Sequence, residues 1–148
     1  MKRFKFNLES VLKYREGIER QEKSVLAGLN SQLLTLLHEL DRLNSDFKNA
    51  SEEFERLSRM GMTILEIRSK HAMLENIEFY IERKLKEIEE QHNLIKKQTA
   101  IVVKSMRDTK TMDRLKEIKY REYKKEENKE NELFIEEFSL HKIAASRE

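Results

Sequence analysis

Apolar residues from Leu26 onward recur at Leu29, Leu33, Leu36, Leu40, Leu43, Phe47, Ala50, Phe54 and Leu57, in steps alternating between three and four. That spacing gathers every member onto one stripe of an α-helix and defines a coiled-coil seam. Nearer the start the seam reads one step back, as Leu8, Val11, Arg15, Ile18, Glu22, Val25 and Leu29. A four-four step through Val25, Leu29 and Leu33 is therefore expected, a stutter that relaxes the supercoil. Asn7 is the expected N-cap, with Phe6 and Val11 at the positions of a hydrophobic staple.

Met60-Gly61-Met62-Thr63 then stops one helix and starts another, because glycine accepts the left-handed conformation past a helix end and Thr63 with Glu66 spells a capping box. A second, weaker seam follows through Ile64, Ile67, His71, Leu74, Glu78, Ile81, Leu85, Ile88, His92, Ile95, Thr99, Val102 and Met106. Folding at the glycine sets Phe54 against Ile67, Phe47 against Leu74, Leu40 against Ile81 and Leu33 against Ile88, so both seams stay in step. The alternative is a parallel homodimer through the first seam alone.

The pattern predicts an all-α chain: a long two-helix antiparallel coiled coil, or helical hairpin, as a single domain over residues 1–148. Helix one covers about 7–59, the turn 60–63 and helix two about 64–145, the second longer and overhanging. At 1.5 Å per residue the paired part would be roughly 75 Å long. The segment 121–148 is expected to be a solvated single helix or a frayed, mobile end. Within it, Leu133, Phe134, Ile135, Phe138, Leu140 and Ile143 form an apolar patch that either folds back onto the coil or receives a partner.

Composition agrees with an extended architecture, since 38% apolar and 39% charged residues leave little apolar surface for a globule of 148 residues. Proline and cysteine are both absent; the first permits unbroken helix, and the second fits a reducing compartment. The amino end has no apolar stretch behind its basic residues, and no apolar run is long enough to cross a bilayer. A cytoplasmic protein is expected.

A net charge of +2 conceals a sorting of signs. Residues 1–23 hold seven bases against four acids and residues 96–125 eleven against four, whereas residues 39–90 hold thirteen acids against nine bases. The hairpin would bring both basic stretches to its open end.

Signals for chemistry are sparse. Glu89 and His92 have the spacing of a carboxylate-histidine metal motif, but one copy does not make a di-metal site, and His92 is expected on the seam opposite Leu29. His38, His71 and His141 are far apart on a hairpin. Three isolated glycines offer no phosphate cradle, and no serine or threonine has a recognisable base and acid. No enzyme, cofactor or metal is expected. Tyr120 and Tyr123 amid basic residues could suit nucleic acid, yet interleaved acids favour a solvated face. The basic stretches also lack the bulky apolar face that membrane surfaces need.

Three features carry a resemblance: the opening Phe4-Lys5-Phe6-Asn7-Leu8-Glu9-Ser10-Val11-Leu12-Lys13-Tyr14-Arg15 with Glu19, the two long helices, and the closing run from Leu115 to Phe138. Together they resemble the FliJ family of the bacterial flagellar type III export apparatus, although the tail departs from the family pattern at Leu133-Phe134-Ile135-Glu136-Glu137. The resemblance implies a non-enzymatic stalk whose open end enters the hexameric flagellar export ATPase. It also implies binding to the export gate membrane protein and to export chaperones, at the cytoplasmic face of the inner membrane, with no nucleic acid and no small-molecule substrate.

By the same resemblance, ring binding would fall to Phe4, Phe6, Leu8, Val11, Arg15, Leu115, Ile118, Tyr120 and Tyr123. Gate or chaperone binding would fall to Leu43, Met73, Ile77 and Tyr80. Helix stapling by Leu8 and Val11, and core packing by Leu43, Met73 and Ile77, are the plainer roles for those residues. A tether or cytoskeletal rod and a nucleic-acid-associated hairpin are the competing classes.

Overall fold

A computed structural model describes residues 2–146. Among these there is no strand, and two helices, α1 (Glu9–Met60) and α2 (Ile64–Ala145), pack against each other as an antiparallel hairpin. Of the tail segment 121–148, Arg147 and Glu148 lie outside the described residues.

The reversal is built as its residues dictate. Gly61 sits at φ 96°, the left-handed region that a side chain disfavours. Thr63 and Glu66 then close a reciprocal capping box: the Glu66 N–H donates to Thr63 Oγ1 at 3.3 Å and the Thr63 N–H to Glu66 Oε2 at 3.2 Å. The Thr63 carbonyl accepts the first α2 bond from Ile67 at 3.0 Å. The start of α1 differs from expectation. Asn7 and Leu8 form a turn in which the Glu9 N–H donates to the Phe6 carbonyl, and the Leu8 carbonyl takes the Leu12 N–H. The cap is made by backbone, and among the described residues no hydrogen bond involves the Asn7 side chain.

The chain divides into two compact units: one from the described residues of Met1–Arg20 and Val103–Glu148, the other Gln21–Val102. In the unit containing the turn, every expected α1 seam residue from Leu26 to Leu57 is half-buried. Opposite them lie Leu74, Ile77, Ile81, Lys84, Ile88, Gln91, Ile95, Gln98 and Val102. Five expected seam members, Leu74, Ile81, Ile88, Ile95 and Val102, are thus in place, whereas Ile64, Ile67 and, in the other unit, Met106 are exposed. Ile77, Lys84, Gln91 and Gln98 occupy the positions expected of Glu78, Leu85, His92 and Thr99.

Hydrogen bonding accounts for that exchange. Gln91 donates through Nε2 to the Leu29 carbonyl at 2.9 Å and to Gln32 Oε1 at 3.2 Å. Seven residues on, Gln98 donates to the Glu22 carbonyl at 3.1 Å and to Glu22 Oε2 at 2.5 Å. A glutamine reaches an opposing backbone carbonyl across a coiled coil, whereas the shorter threonine at 99 satisfies its hydroxyl on Ile95 of its own helix. Each such net bond is worth about 1 kcal/mol, and no buried side-chain polar atom is left without a partner among the described residues.

The anticipated stutter is absent, because the frame of Leu26 continues to the start of α1. Val25 is 45% exposed while Leu26 is half-buried, and in the other unit Val11 is 37% exposed while Leu12 is buried to 3%. Arg15, Glu19 and Glu22 are half-buried polar members of that frame.

The first unit also holds the end of α2, where every residue from Asn128 to Ser146 is exposed. The apolar tail residues Leu133 to Ile143 therefore do not fold back onto the coil.

Leu33 and Leu34 are neighbours of the same type, one in the seam and one 59% exposed. Leu33→Ala should cost about 2 kcal/mol and Leu34→Ala no more than about 0.5 kcal/mol in urea unfolding followed by circular dichroism; equal costs would contradict this seam.

Candidate functional site

At the open end the amino-terminal segment is held against α2 by rings. Phe4 meets Tyr120 edge-on at 5.3 Å between centroids and Tyr123 at 5.5 Å, while Tyr120 and Tyr123 stack at 6.4 Å. Residues 120 and 123 lie one turn apart on a helix, so two tyrosines present a joint face that a single phenylalanine can cover. Lys124 places its ammonium 5.9 Å from the Tyr120 ring, a cation–π contact. Desolvation, and then the neighbouring Glu127 carboxylate, raise the Tyr123 phenol above its ordinary value; its O–H donates to Glu127 Oε1 at 3.3 Å.

Two ion pairs tie the helices together here: Lys116 with Glu9 at 2.8 Å and Arg15 with Asp108 at 3.4 Å. Residues 2–20 and 103–125 together carry fifteen bases against seven acids. This unit is accordingly basic around an aromatic cluster.

Phe4, Phe6, Leu8, Leu115 and Tyr123 line one groove of about 450 Å³, and Tyr120 joins it through Phe4. Val11 points outward from α1, and Ile118 lines a different groove with Arg107, Lys110 and Arg114. Arg15 spends its guanidinium on Asp108 within the hairpin.

The second set of residues divides. Leu43 and Tyr80 share a groove of about 490 Å³ with Glu39, Arg42, Asp46, Arg83, Lys84 and Glu87. Ile77 is a seam residue and not a flanking one, whereas Met73 is half exposed and outside that groove. Tyr80 is 46% exposed and meets Phe79, itself outward, edge-on at 5.8 Å. Seam spacing alone does not single out Phe79; the adjacency of two aromatics on a charged helix is the signal.

Lys84 bridges the helices beside Tyr80, donating to Glu39 at 2.6 Å and to Glu87 at 2.9 Å. The hydrogen bond it donates to Glu39, then that to Glu87, raises its ammonium above the ordinary 10.5. In turn the Lys84 hydrogen bond lowers the Glu87 carboxyl below its ordinary 4.5.

Glu89 and His92 both face solvent, and Gln91, not His92, opposes Leu29. Among the described residues no group of three or more His, Cys, Asp or Glu is placed to hold a metal ion, and no helix is long and apolar enough to cross a membrane.

Folded-state stabilisation by the Lys84 cluster has two pH edges. The raised lysine contributes fully below 10.5 and loses its contribution as pH rises through the folded value; the lowered carboxyl contributes above 4.5 and loses it as pH falls. The stability gap between the parent and Lys84→Met, from urea unfolding across pH, should be widest between those values and close at both ends. A gap independent of pH would refute the pairing.

Comparison with curated proteins and with solved structures returns no match. The family model described as "Flagellar FliJ protein" matches residues 4–148, taking in both long helices, the opening that carries Phe4 and the stretch that carries Tyr120 and Tyr123. A match over nearly every residue establishes that the chain belongs to the flagellar FliJ protein family.

Proposed function

We propose that this chain is a non-enzymatic stalk of the flagellar protein export apparatus, whose open-end unit binds the hexameric export ATPase. The observation that carries the reading is the aromatic cluster of Phe4, Tyr120 and Tyr123, which joins the amino-terminal segment to α2 in one basic, partly exposed surface. Aromatic side chains offer large, rigid contact area, and unequal placement around a ring's axis would let one asymmetric stalk bias identical subunits differently. Nucleotide hydrolysis is assigned to the partner, because the three isolated glycines of this sequence form no glycine-rich phosphate loop.

The unit that contains the turn would face the export gate membrane protein and the export chaperones, through Tyr80 with Met73 at the exposed edge. Leu43 and Ile77 would support that surface from the seam. The chain would thereby be peripheral to the inner membrane on its cytoplasmic side, attached through the apparatus.

Phe4→Ala combined with Tyr120→Ala should weaken co-purification with the export ATPase roughly tenfold and remove stimulation of its hydrolysis, with helix content unchanged. Full stimulation by that double variant would overturn ring binding through the cluster. Tyr80→Ala should lower binding to the gate's cytoplasmic domain and leave ATPase stimulation intact; undiminished gate binding would remove Tyr80 from the proposal.

A further inference from the structure

On α2 of the first unit, Val103, Arg107, Lys110 and Arg114 step by four, three and four, with Lys104 and Ile118 alongside. At 100° per residue this strip lies across the helix from Ser105, Thr109 and Met112, which face α1. All six side chains are exposed, and Lys104, Arg107, Lys110 and Arg114 form no ion pair among the described residues. Of the acids of the same stretch, Asp108 is held by Arg15 and Asp113 lies on the flank, while Glu117, three residues beyond Arg114 on the same face, is held by Arg121. Between the cations runs a shallow groove of about 660 Å³ that reaches Ile118.

We propose that this strip is a second seam that docks an acidic α-helix of a partner protein. Three unpaired cations on one face, Arg107, Lys110 and Arg114, with Lys104 a quarter-turn aside, call for a polyanion. The three-four spacing is that at which one helix receives another, with the groove lying along its line. A flat membrane would need a wider apolar face than Val103 and Ile118 supply. Duplex nucleic acid is broad enough to meet the flanking Asp113 as well as Glu117 on the face itself, and the strip has no aromatic residue on which a base could stack. A narrow helix with carboxylates on its inner face meets Arg107, Lys110 and Arg114 and avoids Asp113, while Arg121 offsets the Glu117 charge at the end of the strip. The surface goes beyond the ring-binding reading, with only Ile118 common to both.

The test uses the full chain and a labelled helical peptide bearing glutamates at three-four spacing, with a control of the same composition whose glutamates are spread around the helix. Fluorescence anisotropy should show salt-sensitive binding of the first peptide and weaker binding of the control. Arg107→Glu with Arg114→Glu should weaken it about tenfold without changing helix content or ATPase stimulation, and the matching lysine substitutions should restore most of it. Equal binding of both peptides, or no effect of charge reversal, would overturn the proposal. So would tighter, strip-dependent binding to anionic vesicles or duplex DNA, or strip-dependent self-association in sedimentation, which would assign the surface to those occupants instead.

Discussion

The hairpin depends on one condition: half of the α2 seam is polar, and those side chains must find partners when α1 closes over them. Ile81, Ile88, Ile95 and Val102 provide apolar contact every seventh residue, but Lys84, Gln91, Gln98 and Ser105 alternate with them. Burying an amide without a hydrogen bond costs more than its neighbouring isoleucine gains. Gln91 and Gln98 meet the condition by reaching backbone carbonyls of Leu29 and Glu22, and Lys84 by dividing its protons between Glu39 and Glu87. Partners of this kind are directional, so they select among packings that apolar contact alone would leave nearly equal.

That directionality explains which parts of the fold were legible in the sequence. Leu26 through Leu57 form a repeat so regular that burial follows from spacing, and Gly61 with Thr63 and Glu66 marks the reversal by steric and hydrogen-bonding rules that act over four residues. Leu74, Ile81, Ile88, Ile95 and Val102, spaced by seven in the second seam, were legible for the same reason, although Ile67 before them is exposed. The intervening members were not, because choosing Gln91 over His92 requires knowing that an opposing carbonyl lies within reach. The false stutter has a similar origin: Val11, Ile18 and Val25 look at least as buriable as Leu12, Glu19 and Leu26 beside them, and spacing alone does not show that the frame of Leu12 and Leu26 is the one that packs.

The candidate surfaces were legible in part. Phe4, Phe6, Leu8, Leu115 and Tyr123 gather in one groove with Tyr120 against Phe4, whereas Arg15 and Ile77 turn out to serve the hairpin itself. Family resemblance ranks residues by their place in a pattern and cannot tell a side chain that faces a partner from one already engaged within the chain. The basic strip on α2 escapes a linear reading because Asp108 and Asp113, interleaved with it in sequence, leave its face only once the helix winds.

The three-residue reversal at Gly61 also orders the folding reaction. Contacts then span sequence separations that grow steadily, from 45 residues for Lys84 with Glu39 to 62 and 76 for the two glutamines and 93 for Arg15 with Asp108. Closing so short a loop loses little chain entropy, and each later pair meets because the previous one has formed. Association would start beside the glycine and zip outward, leaving the Phe4 cluster last to assemble and first to open.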